Sequence, residues 1–435
     1  MPIRLLFPAV LALLLLALPA AAVASDYVPG EVIVKYEDGT SATSEAAAEN
    51  AAGTASEQSL PDGSQQLAIE DRQSVSQTVA ELRDDPGVAY AVPNWKASAA
   101  SFSPNDPGFR LQWNLFDAFG INMPEAWSLA ADRGAPGGRG ALVAVLDSGV
   151  AFENRGRFRR APDFRRDTFV HGYDFIAGDR HPDDVFSHGT HVAGTIAEAT
   201  NNGLGEAGVA YGARIMPLRV LDSEGAGDAA AISRAVRYAT VHHADVINLS
   251  LEFPAELRAS EIPDVISALR FAYRRGVVVV AAAGNQADHA VAYPARATPV
   301  IAVGATTITG CEADYSNAGK DLDLVAPGGG VDAPSSRSQW DIDHCRLDSP
   351  GKSIYQQTFT RGVRRFGVVG LEGTSMAAPH VAGIAALVIA TGRLGPHPSP
   401  AAVEQHLEAT ARDAGEPGFD PYYGHGLVDA AAALR

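Results

Sequence analysis

Short apolar runs alternate with amphipathic stretches along most of this chain. Residues 142–146, 246–249, 277–282 and 299–303 are rich in Val, Ile, Leu and Ala. Runs of that length suit strands buried on both faces, as in a parallel sheet. Residues 232–242, 265–275 and 375–390 read as helices between or after them. The alternation predicts an α/β fold: a doubly wound, mostly parallel sheet with helices on both faces. The first hundred residues differ. Glu31 to Tyr36 alternate as a strand, residues 42–52 are alanine-rich and favour helix, and residues 66–69 suit a second strand. Val75, Val79 and Leu82 recur at helical spacing, and Asp84-Asp85-Pro86-Gly87 ends that helix. Residues 88–92 form a third strand that ends at Pro93-Asn94. This strand–helix–strand–helix–strand order predicts a small α+β domain ahead of the main one. Residues 328–366 show no periodicity and predict a long irregular loop.

The extreme N-terminus changes the picture of where the chain works. Arg4 precedes an apolar run over residues 5–18, and Ala22-Val23-Ala24 follows before Ser25. A positive residue, a short apolar stretch and an A-x-A end make a secretory signal peptide. The run falls short of the roughly 20 residues a membrane span needs, so no membrane anchor is expected. An exported chain, secreted or periplasmic, follows. Export favours a disulfide between the two cysteines, Cys311 and Cys345, over free thiols, though two positions say nothing of geometry. The net charge of -17 argues against nucleic acid as a partner.

Three segments carry the chemistry. Ser375, in Gly373-Thr374-Ser375-Met376-Ala377, stands between a glycine turn and an apolar helix. A serine is a weak nucleophile until a base takes its proton and a third group holds that base. Asp147, at the end of an apolar run in Val145-Leu146-Asp147-Ser148-Gly149, and His188, in His188-Gly189-Thr190-His191, are the available partners. The chain order Asp, His, Ser differs from the two other common triad orders. Gly-Thr-Ser-Met-Ala is also not the Gly-x-Ser-x-Gly elbow of esterases. The glycines at 137–140 precede a strand rather than follow one, so no dinucleotide site is expected. His191 lacks an H-E-x-x-H context for metal.

On these segments the chain resembles the subtilisin-like serine proteases, and the resemblance covers nearly everything after the signal. It implies an exported serine endopeptidase that needs no cofactor for catalysis. Ser375 would attack, His188 shuttle the proton, Asp147 orient His188, and Asn285 hold the oxyanion. Ser250, Leu251 and Gly284 would bind an extended polypeptide substrate by strand addition. Glu252 stands where the family usually has glycine; it would either favour basic side chains or face water, the second being expected. Val28-Pro29-Gly30-Glu31-Val32-Ile33-Val34 resembles the family's inhibitory propeptide. The implied division is a signal at 1–24, a propeptide at 25–100, a processing linker at 101–110 and a peptidase domain at 111–435. The propeptide would be a partner and inhibitor of its own enzyme. Residues 200–205 resemble the family's calcium loop. The likeness implies a structural calcium held by side chains of Gln112, Asp163 and Asn202 and carbonyls of Thr200, Leu204 and Glu206. A plain Asn-Gly turn is the alternative. Two other functions stay open at this point, an inactive binding protein on the same fold and an esterase.

Overall fold

A computed structural model of the chain describes residues 27–70, 73–95, 102–170, 172–334, 345–346 and 349–435. They divide into two compact units, before and after the Ala100–Ser101 junction. The expected signal at 1–24 and residues 96–101 around the expected linker lie outside the described residues.

The first unit runs β1 (Tyr27–Tyr36), α1 (Ala42–Ala51), β2 (Thr54–Ser59), β3 (Gln65–Ile69), α2 (Val75–Asp84) and β4 (Val88–Trp95). Its strands pair antiparallel in the order β2-β3-β1-β4. Serine caps start both helices: Ser41 accepts from the Ser44 N–H, and Ser74 forms a reciprocal box with Gln77. Val32, Val34 and Leu67 from the sheet pack with Ala48, Val79 and Leu82 from the helices. The expected order lacked β2. Thr-Ala-Ser-Glu-Gln-Ser shows no apolar alternation because β2 is an edge strand with its last four residues exposed. A pattern rule finds strands only where one face is buried.

The second unit contains α3 (Trp113–Phe116), α4 (Met123–Asp132), β5 (Leu142–Asp147), β6 (Tyr173–Asp174), α5 (His188–Ala197), β7 (Arg214–Arg219), α6 (Ala229–Val241) and β8 (Val246–Leu249). It continues with α7 (Pro263–Arg274), β9 (Val278–Ala282), β10 (Ile301–Thr306), β11 (Leu324–Pro327), β12 (Ile354–Phe359) and β13 (Phe366–Leu371). It ends with α8 (Thr374–Ala390), α9 (Pro400–Ala409) and α10 (Ala430–Leu434). Seven strands form a parallel sheet in the order β11-β10-β9-β8-β5-β7-β6. Alternate residues serve its two faces. Val143 and Val145 of β5 pack with α5 and α8, whereas Leu142, Ala144 and Leu146 pack with α6 and α7. Strand β7 escaped the apolar pattern because Pro217 interrupts it, and proline in an inner strand normally argues against one. The stretch at 328–366 is less irregular than its composition predicts. Its second half forms β12, which pairs antiparallel with β13. Cys311 and Cys345 are bonded, with Cα atoms 5.7 Å apart.

Helix α8 is apolar all round, as a helix through the middle of a core must be. Gly383 lets it approach the Val209 backbone segment, since a Cβ there would stand 2.7 Å from Val209 Cγ1. Sheet order fixes where function belongs. The chain passes from β5 to β7 on one side, then returns to β8 on the other. A reversal of that kind opens a crevice beyond the carboxyl ends of β5 and β8, where ligands of open α/β sheets bind.

Candidate active site

Asp147 is the last residue of β5 and is fully buried. His188 is the first residue of α5 and faces it. Ser187, just before, has φ of 83°, which turns the chain sharply into the helix. Gly189 makes the docking close, because a Cβ there would meet the Gly149 carbonyl at 2.1 Å and Asp147 Cβ at 3.0 Å. His188 Nδ1 lies 2.8 Å from Asp147 Oδ1 and 3.0 Å from Oδ2. The Ser148 N–H also donates to Asp147 at 2.7 Å. Burial draws the His188 pKa down, but the Asp147 carboxylate and, behind it, Asp184 more than reverse this, leaving it above the ordinary 6.5. The Asp147 contact leaves Nε2 as the ring nitrogen available for a proton from elsewhere.

Ser375 stands in the first turn of α8. Pro379, four residues on, has no N–H and cannot bond the Ser375 carbonyl as the helix ladder requires. The Ser250 hydroxyl donates to that carbonyl instead, at 2.8 Å. In return the Ser375 hydroxyl donates to the Ser250 carbonyl at 3.3 Å. The nucleophile candidate is therefore clamped to the segment that follows β8. Its own N–H, in the helix's first turn, has no intrahelical acceptor.

Asn285 follows β9. Its Oδ1 accepts from both the N–H (2.8 Å) and the hydroxyl (3.0 Å) of Thr374. Oxygen on that side leaves the amide nitrogen to face the cavity. The Asn285 backbone is held too. Glu252 accepts from its N–H at 3.0 Å and from Gln286 Nε2 at 2.6 Å. Glu252 thus does not simply face water, as its sequence position suggested; it ties the Leu251 segment to the Asn285 loop.

His188, Ser375, Asn285, Ser250, Leu251 and Glu252 share one cavity of 370 Å³. Gly284 is not among its lining residues; its N–H donates to the Thr374 hydroxyl at 3.2 Å. The remaining wall is apolar and was not foreseen: Phe186, Leu221, Ile232, Phe253 and the Gly225–Gly227 turn. His191 takes no part. Its Nε2 donates to the carbonyls of Ile354 and Val369 at 3.1 Å each, and burial brings its pKa down to about 3.

Residues 138–426 match the Subtilase family model, and residues 18–94 match that of the fervidolysin N-terminal prodomain. The chain belongs to the subtilase family. The Thermophilic serine proteinase of Bacillus sp. strain AK1 is 33% identical over 411 residues, 94% of this chain and 88% of that protein. Subtilisin Savinase of Lederbergia lenta is 36% identical over 317 residues, 73% of this chain and 98% of its own. Among solved structures, a protease from Pseudoalteromonas arctica PAMC 21717 superposes with a TM-score of 0.63 at 32% identity, covering 77% of this chain and 99% of its own. This subtilase is accordingly a serine protease with an N-terminal prodomain, and its catalysis needs no cofactor.

At the other end of α5 the subtilase gathers carboxylates. Asp163 accepts from Asn202 Nδ2 at 2.7 Å and from the Glu206 N–H at 3.1 Å. Gln112 Oε1 accepts from the Ala207 N–H at 2.7 Å, and Asn202 Oδ1 from the Leu204 N–H at 2.9 Å. Thr200 sits at the start of this loop and bonds the Glu198 carbonyl. The amide oxygens expected as ligands are thus already engaged. The unengaged ones belong to Glu198, which the motif did not flag, and to the Glu206 side chain. Both carboxylates are fully buried, and among the described residues none of their four oxygens has a well-formed hydrogen bond, the Gln357 N–H being only a weak donor near Glu198. Burial, with repulsion from neighbouring carboxylates that include the buried Asp106, pushes Asp163 up to about 8, Glu206 up to about 7 and Glu198 well above its usual range. Hard, anionic, desolvated oxygens of this kind suit calcium. Asp323, Glu404 and Glu408 converge more tightly elsewhere, but all are part-exposed and carry no such orphaned oxygens among the described residues.

Proposed function

We propose that this subtilase is an exported endopeptidase that cleaves extended polypeptides through Ser375, His188 and Asp147. The observation that carries the reading is the bond from His188 Nδ1 to the buried Asp147, in a cavity that Ser375 and Asn285 also line. In the reaction the Ser375 hydroxyl leaves the Ser250 carbonyl and turns to His188 Nε2, a tightening that free enzymes commonly defer until substrate is bound. Nε2 takes the proton as Oγ bonds to the peptide carbonyl carbon. The oxyanion so formed is met by the Asn285 amide and the Ser375 N–H. His188 then gives the proton to the departing amine, and Asp147 stabilises the imidazolium between these steps. Water enters, loses a proton to His188 and releases the acyl group from Ser375. Ser250 and Leu251 supply a backbone edge for the substrate.

Residues 25–100 serve as the inhibitory propeptide, and the first bond cut lies within residues 97–107. Export rests on the Arg4-led apolar segment. Calcium bound by Asp163 with the Glu198 and Glu206 carboxylates, and by carbonyls of the 200–206 loop, would neutralise that buried charge.

A fluorophosphonate probe tests the nucleophile. It should label Ser375 in the wild type and not in His188→Ala, and Ser375→Ala should leave both casein and the chain's own linker uncut. Linker cleavage at the wild-type rate in purified Ser375→Ala protein would overturn self-processing. Hydrolysis of a long-chain ester but no protein substrate would favour the esterase.

A further inference from the structure

Two arginine-rich turns meet beside the active site. The first is Arg155-Gly156-Arg157-Phe158-Arg159-Arg160, and the second is Arg361-Gly362-Val363-Arg364-Arg365. Neither contains a carboxylate, in a chain with 51 acidic and 34 basic residues. Four of the guanidiniums, those of Arg155, Arg157, Arg159 and Arg364, gather about the Gly156–Phe158 turn. Arg364 donates to the carbonyls of Arg157 (2.7 Å) and Gly156 (3.4 Å), which joins the turns. Arg159 donates to the carbonyls of Gly156 (3.0 Å) and Phe158 (2.7 Å). Arg157 lies over the Phe158 ring at 5.0 Å, with Arg155 5.7 Å from the same centroid. Among the described residues only Arg155 of these seven has a carboxylate partner, bonded to Glu153 and Asp183. Two further carboxylates share a cavity with Arg155 and Arg157: Asp174 is taken by Arg219, and Asp179 accepts from the His181 N–H. Arg157, Arg159, Arg361, Arg364 and Arg365 are exposed.

Crowding like charges on two short turns costs free energy, and nothing in the fold requires it: Gly156 and Gly362 already make the bends. The location connects the cluster to catalysis. The first turn begins eight residues after Asp147, and the second ends ten residues before Ser375. Both abut the His188 segment. Arg155 bonds Asp183, and Thr358, on the strand that leads into the second turn, donates to the Ser187 carbonyl at 2.7 Å. Eight to ten residues reach at most about 29–36 Å, so a peptide extended from Ser375 covers the distance with a similar number of residues.

We propose that this arginine cluster is an exosite for acidic segments of polypeptide substrates, engaged about eight residues from the bond being cut. The proposal rests on the peptidase reading and adds a substrate class to it. Guanidiniums bind carboxylates with paired, charge-assisted hydrogen bonds, and an arginine cluster is a recurrent way to read acidic motifs. Compactness selects a polypeptide over a nucleic acid. A short acidic run can meet one basic spot and leave the rest of a -17 surface alone, whereas a polyphosphate chain runs on past it.

The test takes a neutral peptide that the wild type cleaves and adds, after a six-residue Gly/Gln spacer at either end, four glutamates or four glutamines. At 20 mM salt one Glu-tailed form should show about tenfold higher kcat/KM than its Gln-tailed twin, and 0.5 M salt should remove the difference. Arg157→Gln/Arg361→Gln/Arg365→Gln should lose the difference while cleaving the Gln-tailed peptide at the wild-type rate. If the triple variant melts well below wild type, Arg365→Gln alone replaces it, since that side chain makes no hydrogen bond or ion pair among the described residues. Binding of the labelled tails to Ser375→Ala protein reads the same contrast without turnover, so failure of the triad and failure of the exosite are seen separately. Equal affinity for both tails, or a preference that survives in the variant, overturns the proposal. Tighter binding of a heparin fragment or a DNA oligonucleotide than of the Glu tail overturns the choice of polypeptide.

Discussion

Helix α5 has a group of buried carboxylates at each end, and the two groups differ in what surrounds them. At its start, Asp147 accepts from His188 and Ser148, and Asp184 accepts five bonds, from the Ser148 hydroxyl, the Phe186 and Ser187 N–H groups, and the N–H and hydroxyl of Thr190. At its end, about 15 Å away along a ten-residue helix, Glu198 and Glu206 accept no well-formed hydrogen bond among the described residues. The helix dipole adds to the contrast, because its C-terminal end disfavours the anion at Glu198. Burial alone therefore does not decide how a carboxylate behaves. Asp184 is still pushed above the ordinary carboxylate range by burial, its donors offsetting part of that shift, whereas Glu198 lies well above its range.

The comparison can be broken most severely at the donor-rich end. Asp147→Asn should lower kcat by about 10⁴, the size seen when a triad aspartate is replaced in another serine protease, whereas Glu198→Gln in excess calcium should leave kcat unchanged. The pH profile sharpens the point. His188 works as a base only when neutral, and its pKa is raised, so kcat/KM should fall on acidification through a pH above 6.5. Removing the Asp147 charge should carry that limb to lower pH. A limb that stays in place would mean another group titrates there.

Asn285→Ala comes next in size. Its Oδ1 is occupied by Thr374, so only its amide nitrogen can act on substrate, and the expected loss is about 10²–10³ in kcat with little change in KM; subtilisin itself is the reference case for that figure. A change in KM alone would assign Asn285 to ground-state binding.

At the donor-poor end the effect is on stability. Full-length Ser375→Ala protein should melt on the order of 5 °C lower in chelator than in calcium at about 100 times its Kd. Glu198→Gln should shrink that difference. Identical melting with and without calcium would remove the cation from the account. Glu252 gives the smallest effect. It is a part-buried carboxylate with two donors, and Glu252→Ala should lower kcat by roughly 2–10-fold, the worth of one hydrogen bond. Glu252→Gln should recover most of it, and a loss shared equally by both variants would point to charge rather than positioning.

Asp147, His188, Ser375 and Asn285 were legible because each sits in a run of local signals: an apolar strand or helix, a glycine and a polar residue between them. Asp184 and Glu198 were not, although each lies within a few residues of such a run. A lone acidic residue in sequence has the same appearance whether five donors or none will surround it. Phe186 and Ile232 meet across the cavity only in the folded chain, so no periodicity could pair them. Gln112 and Asn202 show the reverse limit. Their positions were read from a motif, and their side-chain oxygens each accept a backbone N–H, from Ala207 and Leu204, which leaves each oxygen a second lone pair.

Pro379 has one more consequence. By removing the ladder bond that would tie Ser375 to its own helix, it hands the proposed nucleophile to Ser250, one residue past β8. The proposed nucleophile and the proposed substrate-binding edge then travel together, and small slips of α8 against the sheet need not alter the angle of attack. Damage deep in α8, at Ala382 or Leu387, should accordingly shorten the protein's working temperature range long before it slows turnover in the molecules that remain folded.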